Sequence, residues 1–284
     1  MVTLLFDGLA YGMLLFVLAC GLSVTLGLMN FINLAPGAYA MAGGYITAVL
    51  TSRAGAPLLA APPIAFLASA ALGLLFERTL YVHMYDKSHL DQVLFSIGLV
   101  FMAVAAIDYV MGSQQQFITL PDYLQGRLDI AGAGIGRYRL FIVVLCGVLA
   151  ALLQWILVST RFGSLLRAAV DDQRVARGLG INVGAIFALT FAAGSGLAGL
   201  GGALGAEILG LDPNFPLKFM IYFLIVVTVG GTSSITGPFL ASLLLGIADV
   251  AGKYYIPALG PFIIYTLMIV VLILRPQGLF ARAR

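Results

Sequence analysis

The sequence predicts an all-α integral membrane protein, a polytopic bundle of about eight or nine transmembrane helices. Three observations predict it. Of its 284 residues 61% are hydrophobic and 10% charged, with a mean hydropathy of +1.06, whereas a soluble domain carries about a quarter charged residues. Apolar runs close to the ~20 residues that cross a bilayer recur along the whole chain. The longest polar intervals, 113–138 and 159–183, have the length of loops and short surface helices, so residues 1–284 read as a single transmembrane domain.

The first run, 8–29, has no basic cluster before it and continues past signal-peptide length, which makes it a retained span with the mature chain beginning near Met1. Runs 35–51 and 58–76 follow, and then a short polar loop holding His83, Asp86, His89 and Asp91. That loop lacks an HExxH arrangement and nearby cysteines, so it reads as a solvated connection. Next come 93–112, 139–158 and 184–207. Within the last, Gly194, Ala198 and Gly202 recur every fourth residue, a spacing that lets helix backbones approach. The remaining runs are 218–232, 237–251 and 256–274. Asp108, Glu207 and Asp249 fall near span ends, where a carboxylate is expected to be solvated. Cys20 and Cys146 lie inside apolar runs and read as small hydrophobes.

Nine spans put the termini on opposite sides of the membrane. With the N-terminus outside, Arg78, Lys87, Arg161, Arg167, Arg174, Arg177, Arg275, Arg282 and Arg284 fall inside, and Arg53, Arg127, Arg137, Arg139, Lys218 and Lys253 outside. This weak excess of inner positive charge sets the expected orientation. The basic residues are too scattered for a nucleic-acid-binding face.

The stretch RFGSLLRAAVDDQRVARGLGI (161–181) concentrates charge in Arg161, Arg167, Asp171, Asp172, Arg174 and Arg177. Wound as one helix over 164–179, with Ser164 as N-cap and Gly180 as its stop, it gathers Leu165, Ala168, Ala169, Val175, Ala176 and Leu179 on one face. Arg167, Arg174 and Arg177 then lie within an arc of about 80° on the other. About four turns cannot span a bilayer. The helix is expected along the cytoplasmic surface, its arginines meeting anionic lipid headgroups or a partner protein that also reads the two aspartates.

No enzyme chemistry is legible. None of Lys87, Lys218 and Lys253 completes a phosphate-cradling Gly-Lys-Ser/Thr turn, so no cofactor is expected on this chain.

The chain resembles the permease subunits of ATP-binding-cassette importers for branched-chain amino acids, and in length the shorter of the two. The resemblance is carried by GLMNFINLAPGAYAMAGGY (27–45), TRFGSLLRAAVDDQRVARGLGINV (160–183), the glycine-rich sixth run, GGTSSITGP (230–238) and RPQGLF (275–280). One departure is Gly230-Gly231-Thr232-Ser233, where relatives often have GGxGS. The resemblance implies a multi-pass protein of the bacterial inner membrane and a second permease subunit beside it. It also implies two cytoplasmic ATPase subunits holding ATP and Mg, and a secreted or periplasmic binding protein. It places ATPase docking in 160–183, on Arg161, Gly163, Arg167, Ala168, Asp171, Asp172, Arg174, Arg177 and Gly180. Import of urea, short amides or simple sugars stays open within the same class, and an ion-coupled secondary transporter in another.

A separate pattern points to an internal repeat with discontinuous helices. FINLAPGA (31–38) and SSITGPFLA (233–241) each place polar residues and a proline break before a short apolar span. The expected translocation path runs beside Asn30, Asn33 and Pro36 in the first break and Ser234, Thr236 and Pro238 in the second. Their side chains either bind a passing zwitterion or cap the helix ends.

Overall fold

The computed structural model describes residues 1–29, 31–130, 133–231, 235–275 and 277–279. Among these, each of the nine apolar runs is a helix: α1 (Val2–Met29), α2 (Pro36–Ser52), α3 (Ala61–Thr79), α4 (His89–Met111), α5 (Arg137–Ser159), α8 (Val183–Leu209), α9 (Phe215–Gly230), α10 (Thr236–Tyr255) and α11 (Gly260–Leu274). Two short helices, α6 (Arg161–Asp171) and α7 (Gln173–Gly178), fill the charged interval. Five segments are long and apolar enough to cross a membrane: Val2–Gly27, Leu58–Thr79, His89–Met111, Arg137–Ser159 and Val183–Leu209. The chain is therefore a helical membrane protein.

Local chemistry sets the boundaries. α2, α3, α9 and α11 each carry proline in the first turn, where the missing N–H costs nothing. Ser88 caps α4 by accepting from the Asp91 N–H. Gly210, at φ 73°, stops α8 in a conformation that a side chain would strain.

α1 and α8 form the buried centre and run antiparallel, so that Gly21 meets Gly194 and Leu18 meets Gly201. α2 crosses α8 with Gly43 on the backbone of Gly199 and Gly202 on that of Ala40, contacts that leave no room for a Cβ. Gly194, Ala198 and Gly202 thus serve close packing. α10 covers the other side of α1 through Gly8, Gly12 and Gly246, and α3 lies on α8. α4 and α5 are peripheral and leave Met102, Val148 and Trp155 exposed, as helices facing lipid or another chain do.

The bundle has two distinct ends. At one, Arg139 pairs with Asp7, Tyr255 meets Met1, and Gln116 bridges to Leu211. At the other, Ile32 bonds Gln92 and Phe187 packs on Tyr85. Arg127, Arg137, Arg139, Lys218 and Lys253 belong to the first end, and Arg78, Lys87 and the arginines of α6 and α7 to the second.

Three expectations need correction. The interval 113–138 contains an antiparallel hairpin of β1 (Arg127–Ile130) and β2 (Ala133–Gly136), registered Arg127↔Gly136, beyond the loops and surface helices expected there. The single helix over 164–179 is two helices. Asp172 separates them at φ −150° and uses its carboxylate to accept the N–H groups of Arg174 and Val175, an N-cap that the pattern of apolar residues does not show. Ser164 therefore lies inside α6, which Thr160 caps instead. Lastly, Asp249 is 1% exposed, because its face of α10 packs into the bundle rather than meeting solvent; Asp108 and Glu207 are exposed as expected.

Candidate functional site

The chain leaves α1 at Met29 and becomes helical again at Pro36. Residues 31–35 form no helix or strand and are mostly buried, so their backbone polar groups need partners inside the protein. Phe31 N–H donates to the Thr25 carbonyl at 3.1 Å and Ile32 N–H to Gln92 Oε1 at 3.1 Å. Asn33 Oδ1 accepts from Ala35 N–H at 3.0 Å and from the Tyr81 hydroxyl at 3.1 Å. Asn33 is 1% exposed; in this conformation it fastens the break. Gln92 is oriented for its part, since its amide donates to the Met84 and Lys87 carbonyls.

An aromatic cluster surrounds these bonds. The Phe31 ring meets Tyr81 and Tyr85 edge to face, with centroids 5.6 and 5.4 Å away. Tyr81 lies 4.5 Å from Phe191, and Tyr85 lies 5.8 Å from Phe187. Both phenylalanines belong to the first turns of α8, just past the charged segment. The Tyr85 hydroxyl donates to Glu77 Oε1 at 2.9 Å. Burial and that carboxylate hold the Tyr85 phenol above its usual range. The sequence reading missed Glu77, Tyr81, Tyr85 and Gln92, because no local pattern signals a bond such as Tyr81 to Asn33 across 48 residues.

At the second break, Gly230 packs directly on Gly237 and Pro238. Thr236 opens α10 and is exposed. Gly278 and Leu279 of the RPQGLF motif lie here: Leu279 N–H donates to the Val229 carbonyl at 2.8 Å, and Gly278 abuts Gly231 and Thr228. Asn30 and Ser234 lie outside the described residues, as do Thr232 and Ser233, the point of departure from GGxGS. Pro36 lies against Gly21, and Phe239 meets Phe16 at 5.1 Å. Both helices that follow a proline break therefore start beside the middle of α1.

The charged segment is anchored on one face and open on the other. Gly163 touches the backbone of Leu157, and the Arg167 guanidinium donates to the Leu157 carbonyl, which together fix α6 to the end of α5. Leu166, Ala169 and Ala176 are buried, while Ala168 is half-buried. Arg161, Asp171, Asp172, Arg174, Arg177 and Gly180 are exposed. So are three aliphatic residues that the sequence gathers on the face away from the arginines: Leu165 at 39%, Val175 at 58% and Leu179 at 75%. Val175 and Leu179 follow the break at Asp172, whereas Leu165 precedes it and Ala176 stays buried. Gly180, at φ 81°, redirects the chain into α8.

Among the described residues no cluster of three His, Cys, Asp or Glu side chains could hold a metal ion, and His83 and His89 are exposed.

Residues 4–272 match the family described as branched-chain amino acid transport system / permease component. The chain is 28% identical over 295 residues to the high-affinity branched-chain amino acid transport system permease protein BraD of Pseudomonas aeruginosa, covering 98% of this chain and 95% of the relative. It is 25% identical to the permease protein LivH of Escherichia coli K12, over 98% and 94% of the two chains. A probable LivH of Methanocaldococcus jannaschii is 27% identical, over 95% and 89%.

Proposed function

Because the chain belongs to the branched-chain amino acid transport system / permease component family, we propose that it passes branched-chain or similar aliphatic amino acids inward across the bacterial inner membrane. It is a membrane permease subunit of an ATP-binding-cassette importer and not an enzyme. In this reading a second permease subunit stands beside it, two cytoplasmic ATPases hold ATP and Mg, and a periplasmic binding protein delivers cargo. About eight or nine of the helices cross the membrane, with α2 and α10 the discontinuous members of an internal repeat. The N-terminus lies outside and the C-terminus inside.

The observation that carries this reading is the open face of α6 and α7. A segment held rigidly to α5, yet presenting Leu165, Val175 and Leu179 among Arg161, Asp171, Arg174 and Arg177, has the mixed apolar and charged character of a protein interface. A lipid-facing helix has no use for Asp171. ATPase docking is accordingly assigned to residues 160–183, with Gly163 and Arg167 fixing the segment and Asp172 and Gly180 shaping it. The translocation path is placed beside Asn30, Asn33, Pro36, Ser234, Thr236 and Pro238, where the two breaks approach the middle of α1.

The test is uptake by the reconstituted complex with its binding protein. L-leucine is expected to enter in an ATP-dependent manner, and urea and ribose are not. Uptake of urea or ribose in place of leucine would move the assignment to another cargo, and ATP-independent uptake driven by an ion gradient would overturn it.

A further inference from the structure

Residues 277–279 of the RPQGLF motif, just beyond α11, meet a carbonyl that α9 cannot satisfy from within. A helix leaves its last four carbonyls without intrahelical partners, and in α9 these belong to Val227–Gly230. Val227 recovers a partner in the Gly231 N–H at 2.9 Å. Val229 is 0% exposed, beyond the reach of water, and its carbonyl accepts from Leu279 N–H at 2.8 Å. Leu279 thus supplies from a separate segment the bond that a continuing helix would draw from its own next turn.

The contact is one of backbone on backbone. A Cβ on Gly278, which sits at φ 90°, would come within 2.7 Å of the Gly231 nitrogen and 2.8 Å of the Thr228 carbonyl oxygen. Gly231 is itself at φ 87°, so neither position takes a side chain without strain. Gly230, next in the chain, meets the backbone of Gly237 and Pro238 at the start of α10. The end of α9 is therefore held by α10 and by residues 277–279 together. Gly278 N–H closes a turn on the Arg275 carbonyl at 2.9 Å, and the Leu279 side chain packs on the core.

The second break is thus fastened by a means that the first does not use. Asn33, Gln92 and Tyr81 hold the first through side chains, whereas backbone from beyond α11 holds the second. We propose that residues 277–279 are a clamp that sets the resting arrangement of the second break, with Gly278 and the Leu279 N–H as its positioning groups. The proposal rests on the reading that places the translocation path beside this break. In the resting arrangement Ile235, Gly237 and Pro238 are buried. Loss of the clamp loosens them without ATP, and ATP turnover is then spent without import.

The experiment uses the full reconstituted complex with a cysteine at Ile235, which is 6% exposed; native Cys20 and Cys146 are buried. Leu279→Pro removes the N–H donor, Leu279→Ala keeps it and trims only the side chain, and Gln277→Ala alters an exposed neighbour. Without ATP, a charged maleimide is expected to label Ile235→Cys several-fold faster in Leu279→Pro, with Leu279→Ala and Gln277→Ala near the parent rate. ATPase copurification stays at the parent level, while ATP consumed per leucine imported rises several-fold in Leu279→Pro. Gly278→Val, which drives a side chain into the backbone of Gly231 and Thr228, is expected to behave alike and carries the test where Leu279→Pro assembles poorly. Parent-rate labelling in both Leu279→Pro and Gly278→Val overturns the clamp and leaves the path where it was placed. Equal acceleration by Leu279→Ala overturns it in favour of side-chain packing. Faster labelling at an unchanged ATP cost overturns the role in transport, and with it the placing of the path at this break.

Discussion

Asn33 holds the first break together by accepting two bonds at one oxygen, and its donors are not equivalent. The Ala35 N–H is a backbone group with no route to water, whereas the Tyr81 hydroxyl can rotate. Tyr81→Phe removes one bond and keeps the ring that packs on Phe191, a loss of about 1 kcal/mol. Asn33→Ala removes both bonds and strands the Ala35 N–H in a buried site, at about 1–3 kcal/mol for the group left unpaired. The melting midpoint in detergent should therefore fall further for Asn33→Ala than for Tyr81→Phe. The reverse order would mean that the phenol, not the carboxamide, organises the break.

At the scale of elements, the charged segment divides its work between α6 and α7. Reversing Asp171 alters the open face without touching Leu166 or Ala169 beneath, so Asp171→Arg should insert normally yet retain roughly five- to tenfold less ATPase on copurification, about 1–1.4 kcal/mol of binding. Replacing Arg127, on the hairpin at the other end of the bundle, should leave ATPase retention intact. Unchanged retention and uptake in Asp171→Arg would return the segment to the lipid surface. This region also shows what the sequence made legible. Apolar run length located every long helix, because burial in a bilayer or a core demands continuous hydrophobicity. It could not locate the break at Asp172, since an aspartate reads alike on a helix surface and as a cap until its neighbours' N–H groups are placed. Asp249 was misjudged for a related reason. Distance from a span end measures depth along one helix, whereas its burial comes from the face on which α10 meets the bundle. Tyr81 and Gln92 were invisible because their partners are some fifty residues away and carry no repeating pattern.

At the scale of the whole molecule, both breaks lead into helices that start beside the middle of α1. The first is closed: Leu34 is 7% exposed and Asn33 is sealed beneath Tyr81. At the second, Thr236 is exposed while Ile235, Gly237 and Pro238 are buried. A passage that opens alternately needs such an inequality, and α8 offers a mechanical link, because Phe187 and Phe191 near its start grip the Tyr81 and Tyr85 rings that close the first break. Under the proposed docking at residues 160–183, movement of that segment would reach the same start through Gly180 and Ile181. Cysteines at Leu34 and Thr236 should consequently respond to nucleotide in opposite ways in the assembled complex. Thr236→Cys should react with a small water-soluble thiol reagent without ATP, and Leu34→Cys, which leaves the Asn33 bonds in place, should react appreciably only during ATP turnover. If both positions label at the same rate in every nucleotide state while uptake stays near normal, neither break lies on the route that cargo takes.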